Sequence, residues 1–93
     1  MNMQRATDYM LEFINGFIND KITRNSFKAN FGFQYSQNLV RMRSEDAEFA
    51  NAMGHFILDT GIHVSSHMSD GAFKALIRLR YHELIDTLRE EIY

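Results

Sequence analysis

The chain has 93 residues, with ten lysines and arginines against twelve aspartates and glutamates, a formal net charge of -2, and neither cysteine nor proline. A single core is within reach of this length, whereas disulfide and thiolate-zinc frameworks are excluded, as is the broad basic footprint of a general nucleic-acid binder. No apolar run exceeds three residues and Met1–Arg5 lacks the apolar core of a secretory signal, so no membrane partner is expected and a cytoplasmic location is the default.

Met3, Ala6, Met10, Phe13 and Phe17 recur at helical spacing, and the first helix is expected over residues 3–19, capped by Asn2 or Thr7. Gly16 inside it costs about 1 kcal/mol relative to alanine and is expected to mark the close approach of a neighbouring helix. The next start is sharply specified. Thr23 is placed to cap a first turn, with Ile22 before it and Phe27 at the fourth helical position forming a hydrophobic staple. That second helix is expected over 24–31, with Gly32 ending it. Residues 31–43 read as a loop that carries aromatics into a short helical turn. A small hairpin is the alternative, because Phe31, Phe33 and Tyr35 alternate with smaller or polar residues.

Ser44-Glu45-Asp46 reads as another cap, with acids where the helix dipole favours them. A third helix is expected over 45–60, with Phe49, Met53, Phe56 and Thr60 inward and Gly61 after its end. After a linker, Met68, Ser69 and Phe73 repeat the staple, and Phe73, Ile77, Tyr81, Leu84, Leu88 and Ile92 form one face of a final helix over 70–92. Four helices with short connections predict an all-α, single-domain, four-helix antiparallel bundle.

Chemistry is sparse. His55, Asp59, His63 and His67 are the only grouping with metal-ligand character, and they read as polar surface on a linker. No glycine-flanked serine and no phosphate-cradling loop is present, so neither an enzyme nor a cofactor is expected. Residues 22–43 have the outline of a helix-turn-helix, with Lys21, Arg24, Lys28, Arg41 and Arg43 supplying charge. Gly32 stands three residues after Ala29 rather than four, which weakens that reading, and nucleic acid is not expected as a partner. The acids Glu45, Asp46, Glu48, Asp59 and Asp70 suggest a negative edge suited to a basic protein.

The run Tyr9 to Phe27, and within it Lys21, Ile22, Thr23 and Phe27, resembles the opening of the colicin D type and contact-dependent growth inhibition immunity proteins. There an apolar first helix enters a short Lys-Ile-Ser/Thr connection, a polar triplet and a phenylalanine. Phe31 to Arg43 has no counterpart in that pattern. The resemblance implies a four-helix bundle that occludes the active site of a cognate bacterial toxin nuclease, one that cleaves transfer RNA. Glu45, Asp46, Glu48, Asp59 and Asp70 are the expected contacts, with Phe33 and Tyr35 as aromatic anchors. These rest on charge and expected exposure; only Asp59 falls on an acidic position of the family. Other readings are a phage- or plasmid-encoded inhibitor or adaptor and a small DNA-binding regulator. The sequence leaves open a homodimer through exposed aromatics.

Overall fold

In a computed structural model, which describes residues 5–90, the chain is all-helical: α1 (Ala6–Ile18), α2 (Arg24–Met53) and α3 (Asp70–Glu90), with a π-helical stretch Gly54–Asp59 and a short 3-10 turn Ile62–Val64. Three helices thus stand where four were expected, and the difference lies in α2.

Gly32 does not end a helix, and 31–43 is neither loop nor hairpin: these residues are helical throughout. Tertiary packing overrides the local signal, because Phe27, Phe31 and Met42 are all fully buried along one side of α2. A glycine costs about 1 kcal/mol there, far less than exposing those side chains. The continuous helix also removes the turn that a helix-turn-helix requires. The direction changes later, at Asp46, whose backbone is extended (φ -164°, ψ 101°). Its carboxylate accepts from the Phe49 amide at 3.0 Å, so the cap expected near Ser44-Glu45-Asp46 is Asp46, and it restarts the helix within α2. Helix 45–60 is therefore the outer arm of α2 continued into the π-helical stretch.

Both expected caps occur at the expected residues. Thr23 Oγ1 accepts from the Ser26 amide at 3.1 Å and Ser69 Oγ from the Ala72 amide at 3.1 Å, while Phe27 and Phe73 are fully buried. The end of α1 is fixed by a left-handed residue that is not glycine. Asp20 has φ 64°, and the amides of Asp20 and Lys21 bond back to Phe17 and Gly16 carbonyls, a Schellman closure. Ile22 then folds over Gly16, where an added Cβ would meet its Cδ1 at 3.0 Å. Gly16 thus marks close approach of the following connection and not, as expected, of a neighbouring helix. The helix expected over 3–19 is observed from Ala6 to Ile18, residues 1–4 lying outside the described part, as does Ile92 at the far end of the α3 stripe.

The three helices meet in a phenylalanine cluster. Phe17 stacks on Phe27 with centroids 4.6 Å apart and lies 5.3 Å from Phe73, one ring from each helix. Arg24 binds the outside of this cluster. Its guanidinium stands 4.8 Å above the Phe73 ring and donates to Met68 O (2.7 Å), Ser65 O (3.0 Å) and Asp70 Oδ1 (2.9 Å). The beginning of α2 is thereby tied to the connection that launches α3.

Glycines in α2 and just beyond give opposite expectations. Nothing lies within 4 Å of a Cβ added at Gly32, whereas one at Gly54 would stand 2.5 Å from the Tyr35 hydroxyl. Gly32→Ala should raise stability by up to about 1 kcal/mol. Gly54→Ala should lower it by about 1–3 kcal/mol through overpacking. Urea denaturation of both variants beside the parent chain reads the two signs directly.

Candidate functional site

The acids chosen from the sequence divide into those the fold consumes and those it leaves at the surface. Glu45 belongs to the first group. The Arg5 position that precedes α1 makes no side-chain cap, and Glu45 supplies the missing acceptors from α2. Its Oε2 accepts from the Ala6 amide at 2.9 Å, and its Oε1 accepts from the Thr7 amide at 2.8 Å and the Thr7 hydroxyl at 2.5 Å. The carboxylate satisfies orphan amides and sits where the α1 dipole is positive. Thr7, expected as a possible cap itself, is buried and donates to Glu45 instead.

Burial pushes the Glu45 carboxyl up, but its bonds from Thr7 and Ala6 and the nearby Arg5 outweigh this and hold it below its ordinary 4.5. Asp46, its neighbour, is occupied as the cap within α2. Neither is a free contact for a partner, contrary to the expectation for both.

Tyr35 is likewise turned to the inside. Its ring stacks on Phe31 with centroids 5.9 Å apart, and its hydroxyl donates to Ala50 O at 2.7 Å. Burial pushes this phenol above its ordinary 10.0; the Gly54 amide and Arg43 oppose the rise and Asp59 adds to it. The phenol occupies the ladder carbonyl at Ala50 and covers Gly54, where the π-helical register begins. That register ends with the Thr60 amide bonded to His55 O at 3.0 Å, and Arg80 Nε donates to Thr60 O at 3.2 Å from α3. Tyr35 and Arg80 hold this arm at its two ends.

What remains exposed forms a stripe. Glu48, Asn51, His55 and Asp59 are all exposed and recur at spacings of three, four and four, on one face of the arm beyond Asp46. By helical rise the two carboxylates are about 15 Å apart. Asp59 has only the exposed His63, at 3.9 Å, as an ionic neighbour, and Glu48 makes no ion pair among the described residues. No three histidine, aspartate or glutamate groups among the described residues are placed to hold a metal ion.

Asp70 stands elsewhere. It pairs with Arg24 at the start of α2, 21 residues before Glu45 along the same helix, or about 30 Å. The five acids therefore do not make one continuous face. A cleft of about 360 Å³ near Asp70 is lined by Asp20, Lys21, Arg24 and Lys74, but its charges largely answer one another: Lys74 pairs with Asp20 and Arg24 with Asp70. Phe33 is 62% exposed, as expected of an anchor, and lies on α2 before the break.

Sequence reasoning left out Asn51, and it grouped His55 with Asp59, His63 and His67 rather than with Glu48. The spacing of Asn51 and His55 from Glu48 was visible; what concealed the stripe was the expectation of a helix read only for its buried face. No protein-family model, curated protein or solved structure matches the chain. No helix among the described residues is long and apolar enough to cross a membrane.

The cap by Glu45 sets a pH dependence. Because its folded pKa is depressed, its contribution is complete above the ordinary carboxylate value and is lost as pH falls through the lower folded value. Glu45→Gln should cost roughly 1–2 kcal/mol at pH 7, in the range of a lost cap. The gap should close in acid, where the parent carboxyl is protonated too. Chemical denaturation of both chains across the acid range measures it.

Proposed function

We propose that the protein is an inhibitor that binds a basic protein surface and occludes it, in the manner of the immunity proteins its opening resembles, with a toxin nuclease as the cognate partner. The observation that carries this reading is the exposed stripe of Glu48, Asn51, His55 and Asp59. Two carboxylates about 15 Å apart on a braced helical arm present fixed negative charge to a basic cleft, without a lysine or arginine among the described residues neutralising either. Catalysis by this chain plays no part; inhibition is exclusion of the nucleic-acid substrate. The break at Asp46 divides α2 into two arms, and the second carries the stripe.

The reading is tested by capturing partners on the tagged chain at low and high salt and assaying any retained nuclease domain for RNA cleavage. Inhibition at stoichiometric amounts is expected. Capture of nucleic acid alone, or a nuclease that remains active when bound, would overturn it. With the partner in hand, Glu48→Gln combined with Asp59→Asn should slow association several-fold at low ionic strength while dissociation changes less, measured by surface plasmon resonance. Unchanged association would remove the stripe from the interface.

A further inference from the structure

The outward side of α2 before its break is unlike the other exposed helix faces. α1 exposes Asp8 and Glu12, and α3 exposes Arg78, His82 and Asp86. At 100° per residue, the positions of α2 within about 60° of Phe33 run from Ser26 to Ser44, a stripe about 27 Å long, and none is charged. All of them are exposed. Phe33 and Val40, 62% and 81% exposed, stand two turns apart at its centre, with small residues on either side. The helix is charged only at the margins of this face, by Arg41 and Arg43, and on its rear flanks.

From this pattern we infer that the face docks on the same face of a second copy of the chain, with the two α2 helices antiparallel. Two arguments select this occupant. A charged partner surface would lose hydration and find no counter-charge along the stripe, whereas a second copy brings no charge to it. The stripe is also self-complementary about a two-fold axis between Ser36 and Gln37. That axis sets Phe33 against Val40 of the second copy, Val40 against its Phe33, and Ala29 against its Ser44, the reciprocal pairing an isologous interface requires. In this register Arg41 comes to the level of Gly32 and Arg43 to that of Asn30, so like charges do not meet. Two apolar side chains per copy on one short seam bury an area at or below the low end of specific interfaces, roughly 1,200 Å², and the dimer is reversible. The inference does not depend on the nuclease reading, which uses the other arm of α2.

Sedimentation equilibrium of the full chain tests it, with circular dichroism as the check on folding. The parent chain should rise with concentration from one chain mass, 10.9 kDa, toward twice that value. Val40→Glu and Phe33→Lys, both at exposed positions, should each weaken association at least about tenfold with helix content unchanged, a loss of about 1.4 kcal/mol. Mixing the two variants should restore a two-chain species, because one 33–40 contact becomes Lys with Glu and the other remains Phe with Val. A parent chain that stays single at millimolar concentration would overturn the inference, as would a dimer indifferent to Val40→Glu. Failure of the mixture to associate would overturn the antiparallel register. Protection of Phe33 and Val40 by a different protein, with the parent chain alone remaining single, would assign the face to that occupant instead.

Discussion

Two adjacent carboxylates at the break in α2 hold the architecture together. Glu45 closes the open amides at the start of α1, and Asp46 closes those of the helical arm that follows. Each replaces water on groups that a helix leaves unpaired, and each does so at a point where direction must change. Without Glu45 the first turn of α1 would lack a side-chain acceptor, since the Arg5 position makes none. Without Asp46 the arm carrying Phe49 and Met53 into the core would begin uncapped. The same dipeptide therefore positions α1, the break and the outer arm.

The rest of the structure repeats this use of polar side chains. Arg24 gathers two carbonyls of the connection before α3 and rests on Phe73, Tyr35 takes the Ala50 carbonyl, and Arg80 takes the Thr60 carbonyl. In each case a long side chain bonds backbone carbonyls where a helix begins, changes register or ends. The core between them is aromatic and methionine-rich, and Phe17, Phe27 and Phe73 join its three helices. The Glu48 to Asp59 stripe and the uncharged side of α2 are surfaces that this bracing does not use.

Much of this was legible in the sequence, but at the level of single turns. Thr23 and Ser69 announced their helices because a hydroxyl followed by a buried phenylalanine is a local device that needs no distant partner. The apolar periodicity of Phe73, Ile77 and Leu84 gave the buried face of α3 for the same reason. Gly32 misled because its local meaning, a helix end, is overruled by Phe27, Phe31 and Met42 packing on either side of it. The roles of Glu45 and Tyr35 were hidden because they depend on groups far along the chain. Glu45 reaches Thr7, 38 residues away, and Tyr35 reaches Ala50, 15 away. From composition alone a carboxylate that caps a distant helix looks like one offered to a partner.

These acids have different occupations: some hold the fold and others face outward. Thermal denaturation at neutral pH of Asp46→Ala beside Glu48→Ala separates the two most directly, since the residues lie two positions apart and carry the same charge. Loss of the Asp46 cap should cost about 1 kcal/mol, while Glu48→Ala should stay within about 0.5 kcal/mol of the parent chain. Equal losses for the two, or a larger one for Glu48, would contradict the division on which the account rests.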